Sequence, residues 1–102
     1  MSQSSEFLFL LKPPRKTFME NASQEEERIM QEHFEYLKEL QETGKLILAG
    51  PCLDGVLGIV IFRANSLEEA AQIMNHDPSV EATLMRAELH PFRVSLFSPK
   101  AI

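Results

Sequence analysis

The chain has 102 residues, of which 44% are hydrophobic and 25% charged, and a formal net charge of −5. This length and composition predict a single soluble domain over residues 1–102, with a polar tail at 1–5, and exclude long disorder. No apolar run approaches the roughly 20 residues of a transmembrane helix, and the acidic balance argues against nucleic-acid binding, since phosphate contacts need a basic surface. The polar start has no signal-peptide pattern, so we expect a cytoplasmic protein without membrane contacts.

The first predicted strand and the loop after it contain the first candidate for substrate binding. Glu6 to Lys12 is a short apolar run bounded by prolines, which predicts a buried strand. Pro13 to Ala22 opens with two prolines, which fix φ and remove backbone donors, so this segment is predicted to be an ordered loop. Arg15 in that loop is either a solvated charge or a contact for an anionic substrate group.

The first long helix is predicted from Ser23 to Gly44. Ser23 and Glu26 have the spacing of a capping box, and Gly44 stands where a left-handed cap is favoured. The apolar stripe of this helix consists of Met30, His33, Leu37 and Leu40. A buried imidazole needs hydrogen-bond partners, so His33 is either a satisfied core residue or a titratable group kept for function.

Two strands with a turn between them follow the helix. Lys45 to Ala49 is the second predicted strand, Asp54-Gly55 is a turn signal, and Val56 to Ala64 is the third strand. Gly50 and Pro51 end the second strand, where Gly50 either admits a ligand close to the backbone or simply forms the turn. Cys52 has no partner for an internal disulfide and is expected to be a small buried side chain.

The second half of the chain repeats the helix and strand pattern. Ser66 and Glu69 predict a second helix that ends near Asn75. Its core positions are expected to be Leu67, Ala70, Ala71, Ile73 and Met74. Asp77-Pro78 predicts a short helical turn in which the aspartate is the cap.

The last predicted strand runs from Thr83 to His90 and has one buried and one wetter face. Beyond Pro91 the apolar parity changes, which predicts a bend or bulge followed by a short edge or partner-contacting segment. His76 and His90 lack a stripe or a partner pattern and are expected on the surface. Three scattered histidines do not have the spacing of a metal site, so no metal is expected.

The predicted order β, α, β, β, α, β is the ferredoxin-like plan, an α+β fold with both helices on one face of a four-stranded antiparallel sheet. The third strand, VLGIVIFRA, is apolar on both parities, so both of its faces should be covered. We therefore expect the free sheet face to be buried against a second copy in a homodimer.

Several short motifs succeed one another from about Phe7 to Arg93. They are Pro14-Arg15, Phe18, Glu26-Glu27, Ile29-Met30, His33, Tyr36-Leu37, Gly44-Lys45-Leu46, Ala49-Gly50-Pro51, Asp54-Gly55, Gly58, Glu69-Ala70 and Asp77-Pro78. This succession resembles the YciI-like family, also described as the YCII-related domain family. One departure is Ala82-Thr83, where many relatives have Ala-Gly.

The resemblance implies the dimeric α/β barrel fold and a site built on a histidine and an aspartate, at His33 and Asp77 here. Members of this family with an assigned role resemble enzymes that eliminate or rearrange small oxidised aromatic or lactone compounds without a cofactor, such as dehydrochlorinases. Muconolactone isomerases use the same barrel. By its own pattern Asp77 is predicted to be a helix cap, a role that is compatible with orienting a histidine.

Two functions are therefore expected. The first is a cofactor-independent lyase or isomerase for a small oxidised ring compound, with His33 as general acid/base, Asp77 as its orienter and substrate contacts from Arg15, Gly50 and Pro51. No nucleophile motif, metal cluster or phosphate loop suggests another chemistry. The alternative is a non-catalytic dimer that binds a small ligand or is associated with stress.

Overall fold

The computed structural model describes residues 5–99 and contains four strands and four helices. Two of the helices are long enough to cover the sheet, and two are single turns. The elements are β1 Ser5–Lys12, α1 Phe18–Asn21, α2 Gln24–Glu42, β2 Leu46–Pro51, β3 Gly58–Ala64, α3 Leu67–Asn75, α4 Pro78–Glu81 and β4 Arg86–Phe92.

The four strands form one antiparallel sheet in the order β2-β3-β1-β4. β1 is central, and its Phe9 stands between Val60 of β3 and Leu89 of β4. This order, with α2 and α3 as the long connections, confirms the predicted α+β, ferredoxin-like βαββαβ plan.

The core lies between the sheet and the two long helices. Alternate residues of β1 and β3 point into it because successive side chains of a strand face opposite sides. Phe9 and Phe62 are both fully buried and meet edge to face, with ring centroids 5.5 Å apart. From the helices, the core contains Leu37, Leu40, Ala70 and Ile73.

The opposite face of the sheet is not covered by a helix. Its apolar side chains are only partly buried in the single chain, and they belong to the central strands: Leu8, Leu10, Ile59 and Ile61. This is the second apolar face of β3 that the sequence predicts to be covered.

Both predicted helix starts are confirmed. At α2 the Ser23 hydroxyl accepts from the Glu26 amide at 3.1 Å, and the Glu26 carboxylate accepts from the Ser23 amide at 2.9 Å. At α3 the Ser66 hydroxyl accepts from the Glu69 amide. Gly44 has φ +80° after the end of α2, as the left-handed cap requires.

The predicted loop from Pro13 to Ala22 contains the helical turn α1. The Thr17 carbonyl accepts from Glu20 and Asn21, at 2.9 and 3.0 Å, and Phe18 is buried in the core. A turn of four residues is too short to show helical periodicity, so the loop assignment was wrong for Phe18–Asn21.

Three further predictions were wrong in their details. Cys52 is exposed, because it lies in the connection between β2 and β3 and not in a strand. Leu67, expected in the core, is 57% exposed in the first turn of α3. The last strand begins at Arg86 and not at Thr83, because the residues before it complete the end of α4.

Pro91 does not interrupt β4. Pro91 and Phe92 continue the register opposite Phe7 and Glu6 of β1, without a bulge. β4 is an edge strand, where the missing amide of a proline can face away from the sheet. The irregularity lies in β2 instead, between Leu46 and Leu48.

Candidate functional site

His33 and Asp77 are in direct contact although 44 residues separate them in the sequence. The His33 Nδ1 atom lies 2.9 Å from Asp77 Oδ1 and 2.8 Å from Oδ2. His33 comes from the middle of α2, and Asp77 is the N-cap of α4, where its Oδ1 accepts from the Ser79 amide at 2.9 Å. The aspartate is therefore both a cap and the partner of the histidine.

The Asp77 carboxylate is buried, with no exposed surface, and is surrounded by donors. The Ser79 hydroxyl donates to Oδ1 at 2.8 Å, in addition to the Ser79 amide and the imidazole. A buried carboxylate is stable only when hydrogen bonds replace its hydration, and here three donors do so. Ser79, itself fully buried, is a site residue that the sequence did not indicate.

This contact decides which nitrogen of His33 can react. Nδ1 faces the carboxylate and donates to it, which leaves the lone pair on Nε2. Within residues 5–99 Nε2 has no hydrogen-bond partner. Every fully buried side-chain nitrogen or oxygen of these residues has a partner, so Nε2 is not fully buried. The His33 side chain as a whole is only 13% exposed.

Tyr36 stabilises the packing of the helices near the pair. Its hydroxyl donates to the Ile73 carbonyl at 2.7 Å and so ties α2 to α3. The pKa of Tyr36 is raised to about 12, mainly by burial and to a smaller extent by the negative charges of Asp77 and Glu39. Tyr36 therefore stays protonated at neutral pH and is a structural donor, not a base.

His33 opens on a cavity of about 720 Å³ between α1, α2, β2 and the connection from β2 to β3. This volume lies within the usual range of small-molecule sites. Most of the lining is apolar. Besides His33, its polar side chains in the described part of the chain are Lys38, Gln41 and Cys52.

Gly50 and Pro51 line this cavity and belong to β2. Gly50 is not a turn residue, and a Cβ built on it would meet no atom within 4 Å. The structure therefore brings together four of the five sequence-predicted site residues. His33, Gly50 and Pro51 line the cavity, and Asp77 contacts His33 without lining the cavity itself.

Arg15 lies outside the cavity lining and binds protein groups. Its guanidinium donates to both oxygens of Glu26, at 2.8 and 3.0 Å, and to the side chain and carbonyl of Asn21, each at 2.9 Å. Hydrogen bonds from Arg15 and from the Ser23 amide hold the pKa of Glu26 at about 2, well below its usual range. Arg15 thus anchors α1 to the start of α2. Because Phe18 and Met19 of α1 line the cavity, this contact also holds one of its walls in place.

No third metal-binding side chain joins the pair: within residues 5–99 no group of three histidines, cysteines, aspartates or glutamates could hold an ion. The same residues contain no helix that is long and apolar enough to cross a membrane. What the pair offers chemically is an oriented imidazole beside an apolar cavity, which can accept or return one proton.

The fold and the pair define an α+β protein with an oriented histidine at a small-molecule cavity. A model of the YCII-related domain matches residues 8–93, and the chain belongs to that family. The predicted family and the α+β, ferredoxin-like fold class are thereby confirmed.

The proteins similar to the chain include the following two. It is 44% identical over 48 residues to the uncharacterized protein YjpA of Bacillus subtilis (strain 168), a match that covers 47% of this chain and 56% of that protein's length. A solved structure is similar in fold: the 5-chloro-2-hydroxyhydroquinone dehydrochlorinase of Burkholderia phenoliruptrix AC1100, in complex with 2,5-dihydroxybenzoquinone. That likeness has a TM-score of 0.67 and 21% identity, and covers 86% of this chain and 93% of the other.

Proposed function

We propose that this protein is a cofactor-independent lyase or isomerase for a small oxidised ring compound. The observation that supports the proposal is the His33–Asp77 pair, of which His33 lines a mostly apolar cavity of about 720 Å³. The similar fold of a dehydrochlorinase in complex with a quinone indicates the kind of ring compound.

In the proposed reaction His33 acts as a general base through Nε2. Nε2 takes a proton from a ring carbon or hydroxyl, and the electron pair of that bond forms a C=C or C=O bond. In an elimination chloride leaves with the electron pair of the C–Cl bond, and the imidazolium then releases its proton to water. In an isomerisation the imidazolium returns the proton to another carbon. Asp77 stabilises the imidazolium, and proton transfer of this kind contributes about 10²- to 10⁴-fold.

Chloride release from 5-chloro-2-hydroxyhydroquinone by the purified protein tests this function. We expect His33→Asn to lower the rate by about 10²-fold or more, because asparagine keeps a polar side chain but cannot take the proton. The matched control is His90→Asn, since His90 is exposed on β4 and lies outside the cavity lining. Equal rates for wild type and His33→Asn would contradict the proposal.

The assay also separates the alternative function. Chlorinated hydroxyhydroquinones and unsaturated lactones form the substrate panel, with deuterium uptake from D₂O as a second readout. A ligand that binds the cavity while no panel compound reacts or exchanges a proton would instead support a non-catalytic binding protein.

We further propose that two copies associate through the uncovered sheet face. The partly exposed side chains of Leu8, Leu10, Ile59 and Ile61 form a contiguous apolar surface across β1 and β3. Soluble monomers rarely leave such a surface open to water. The small-molecule ligand and a second copy of the chain are then its two partners.

A further inference from the structure

We infer that Lys38 is the residue that selects the ligand, and that the ligand is a ring compound with an anionic oxygen substituent such as a carboxylate. The inference rests on the proposed function in assigning the ligand to the same cavity and the same ring class. It adds the charge of the ligand, its orientation and the residue that recognises it.

The distribution of charge around the cavity supports this assignment. Among the described residues that line it, Lys38 has the only permanently charged side chain. No carboxylate lies within 4.0 Å of its ammonium group in residues 5–99. Arg15, the cation that the sequence suggested, is already bound by Glu26. An anionic ligand therefore meets one cation here, and that cation has no competing partner.

The position of Lys38 on α2 also supports the assignment. The α2 residues that line the cavity form one stripe at 3.6 residues per turn, with His33 at one edge and Lys38 at the other. Four side chains lie between the two edges, and all but the last are apolar: Met30, Leu37, Phe34 and Gln41. His33 and Lys38 are five residues apart, which corresponds to a rise of about 7.5 Å along the axis. Around the axis the two residues lie about 140° apart, so a ligand that contacts both edges lies across the side chains between them.

The environment of the Lys38 ammonium group fits the same role. Lys38 is exposed, and its Nζ lies 5.8 Å from the centre of the Phe34 ring. Such a lysine keeps its stem on apolar surface and its charge in water at the cavity mouth. The ring of the ligand then enters the apolar part with its reacting atom at Nε2 of His33, while its anionic group stays at the mouth beside Lys38.

The probes for this inference are 4-hydroxybenzoate and 4-hydroxybenzamide, which have the same shape and differ in charge. Titration of ¹⁵N-labelled protein, followed by NMR shifts, gives both the affinity and the residues that surround the probe. We expect the benzoate to bind about fivefold more tightly than the benzamide, as for a solvent-accessible ion pair, and to shift the amides around Gly50 and His33.

The variant Lys38→Met keeps the length of the side chain and removes its charge, so it should abolish the preference for the benzoate. Lys38→Arg should retain it. Lys45→Met is the matched control, because Lys45 is an exposed lysine outside the cavity lining and the same substitution removes the same charge. A preference that persists in Lys38→Met, equal binding of both probes to the wild type, or no binding of the benzoate would overturn the inference.

A failure of this inference is distinguishable from a failure of the proposed function. His33→Asn should leave the preference for the benzoate intact while abolishing turnover. Loss of the preference in Lys38→Met supports the anion contact independently of turnover, because the two probes are compared by binding alone. Turnover that is unaffected by His33→Asn would contradict the function without affecting the probe result.

Discussion

Thr83 adopts a conformation that threonine rarely takes. Its φ is +54°, in the left-handed region, where a Cβ approaches the following carbonyl oxygen. This φ is required by the way α4 ends. The Thr83 amide donates to the Val80 carbonyl at 2.9 Å and the Leu84 amide donates to the Ser79 carbonyl at 3.0 Å, which are the two hydrogen bonds that close a helix through a left-handed residue. Gly44 has the same place after α2, with φ +80°.

Thr83→Gly should therefore stabilise the protein. Glycine adopts this φ without the steric cost of about 1–2 kcal/mol, and part of that gain is lost to the greater freedom of glycine in the unfolded chain. We expect a net increase of about 0.5–1 kcal/mol in the free energy of unfolding, measured by urea denaturation. The reverse change at the equivalent place, Gly44→Ala, should destabilise the protein by about 1 kcal/mol. A lower stability of Thr83→Gly would contradict this account of the turn.

The sequence located the residues of the pair one at a time. Helical spacing placed His33 on the inner side of α2, and the Asp-Pro pattern identified Asp77 as a cap. Local patterns cannot show that two residues separated by 44 positions meet, and only the family resemblance joined them. Ser79 gave no signal, because a buried serine in a single helical turn has neither spacing nor charge to mark it. The catalytic roles remain a proposal.

At the scale of elements, the long helices were predicted well and the strand ends less well. Capping residues define a helix start chemically, so Ser23 and Ser66 fixed where α2 and α3 begin. Strand ends depend on pairing with distant residues, which the local sequence does not contain. β2 therefore runs through Pro51, and β4 runs through Pro91 to Phe92.

The segment before α2 shows why Arg15 was difficult to interpret. Its charge indicated either solvent or an anionic ligand, but the acceptors it contacts are Glu26 and Asn21. Glu26 serves two purposes, as the capping-box carboxylate of α2 and as the partner of Arg15. A sequence pattern identifies the first purpose only, because the second depends on how α1 folds back onto the helix.

At the scale of the whole molecule, the uncovered sheet face predicts a dimer. Ile61 lies on that face in β3, so Ile61→Lys should weaken association by placing a charge in an apolar contact. Sedimentation velocity at micromolar concentration should give a dimer for the wild type and a shift toward monomer for the variant. Leu67→Lys is the matched control, because Leu67 is 57% exposed on α3, away from this face. A wild-type monomer at that concentration would contradict the prediction.

The central claim is that Asp77 holds the proton of neutral His33 on Nδ1 and leaves Nε2 free to act as a base on a ligand in the cavity. The ¹⁵N chemical shifts of the two ring nitrogens, measured by NMR above the pH at which the imidazole loses its charge, test it most directly. We expect a protonated Nδ1 and a bare Nε2 in the wild type, with that preference weakened in Asp77→Asn. A neutral His33 that carries its proton on Nε2 would contradict the account.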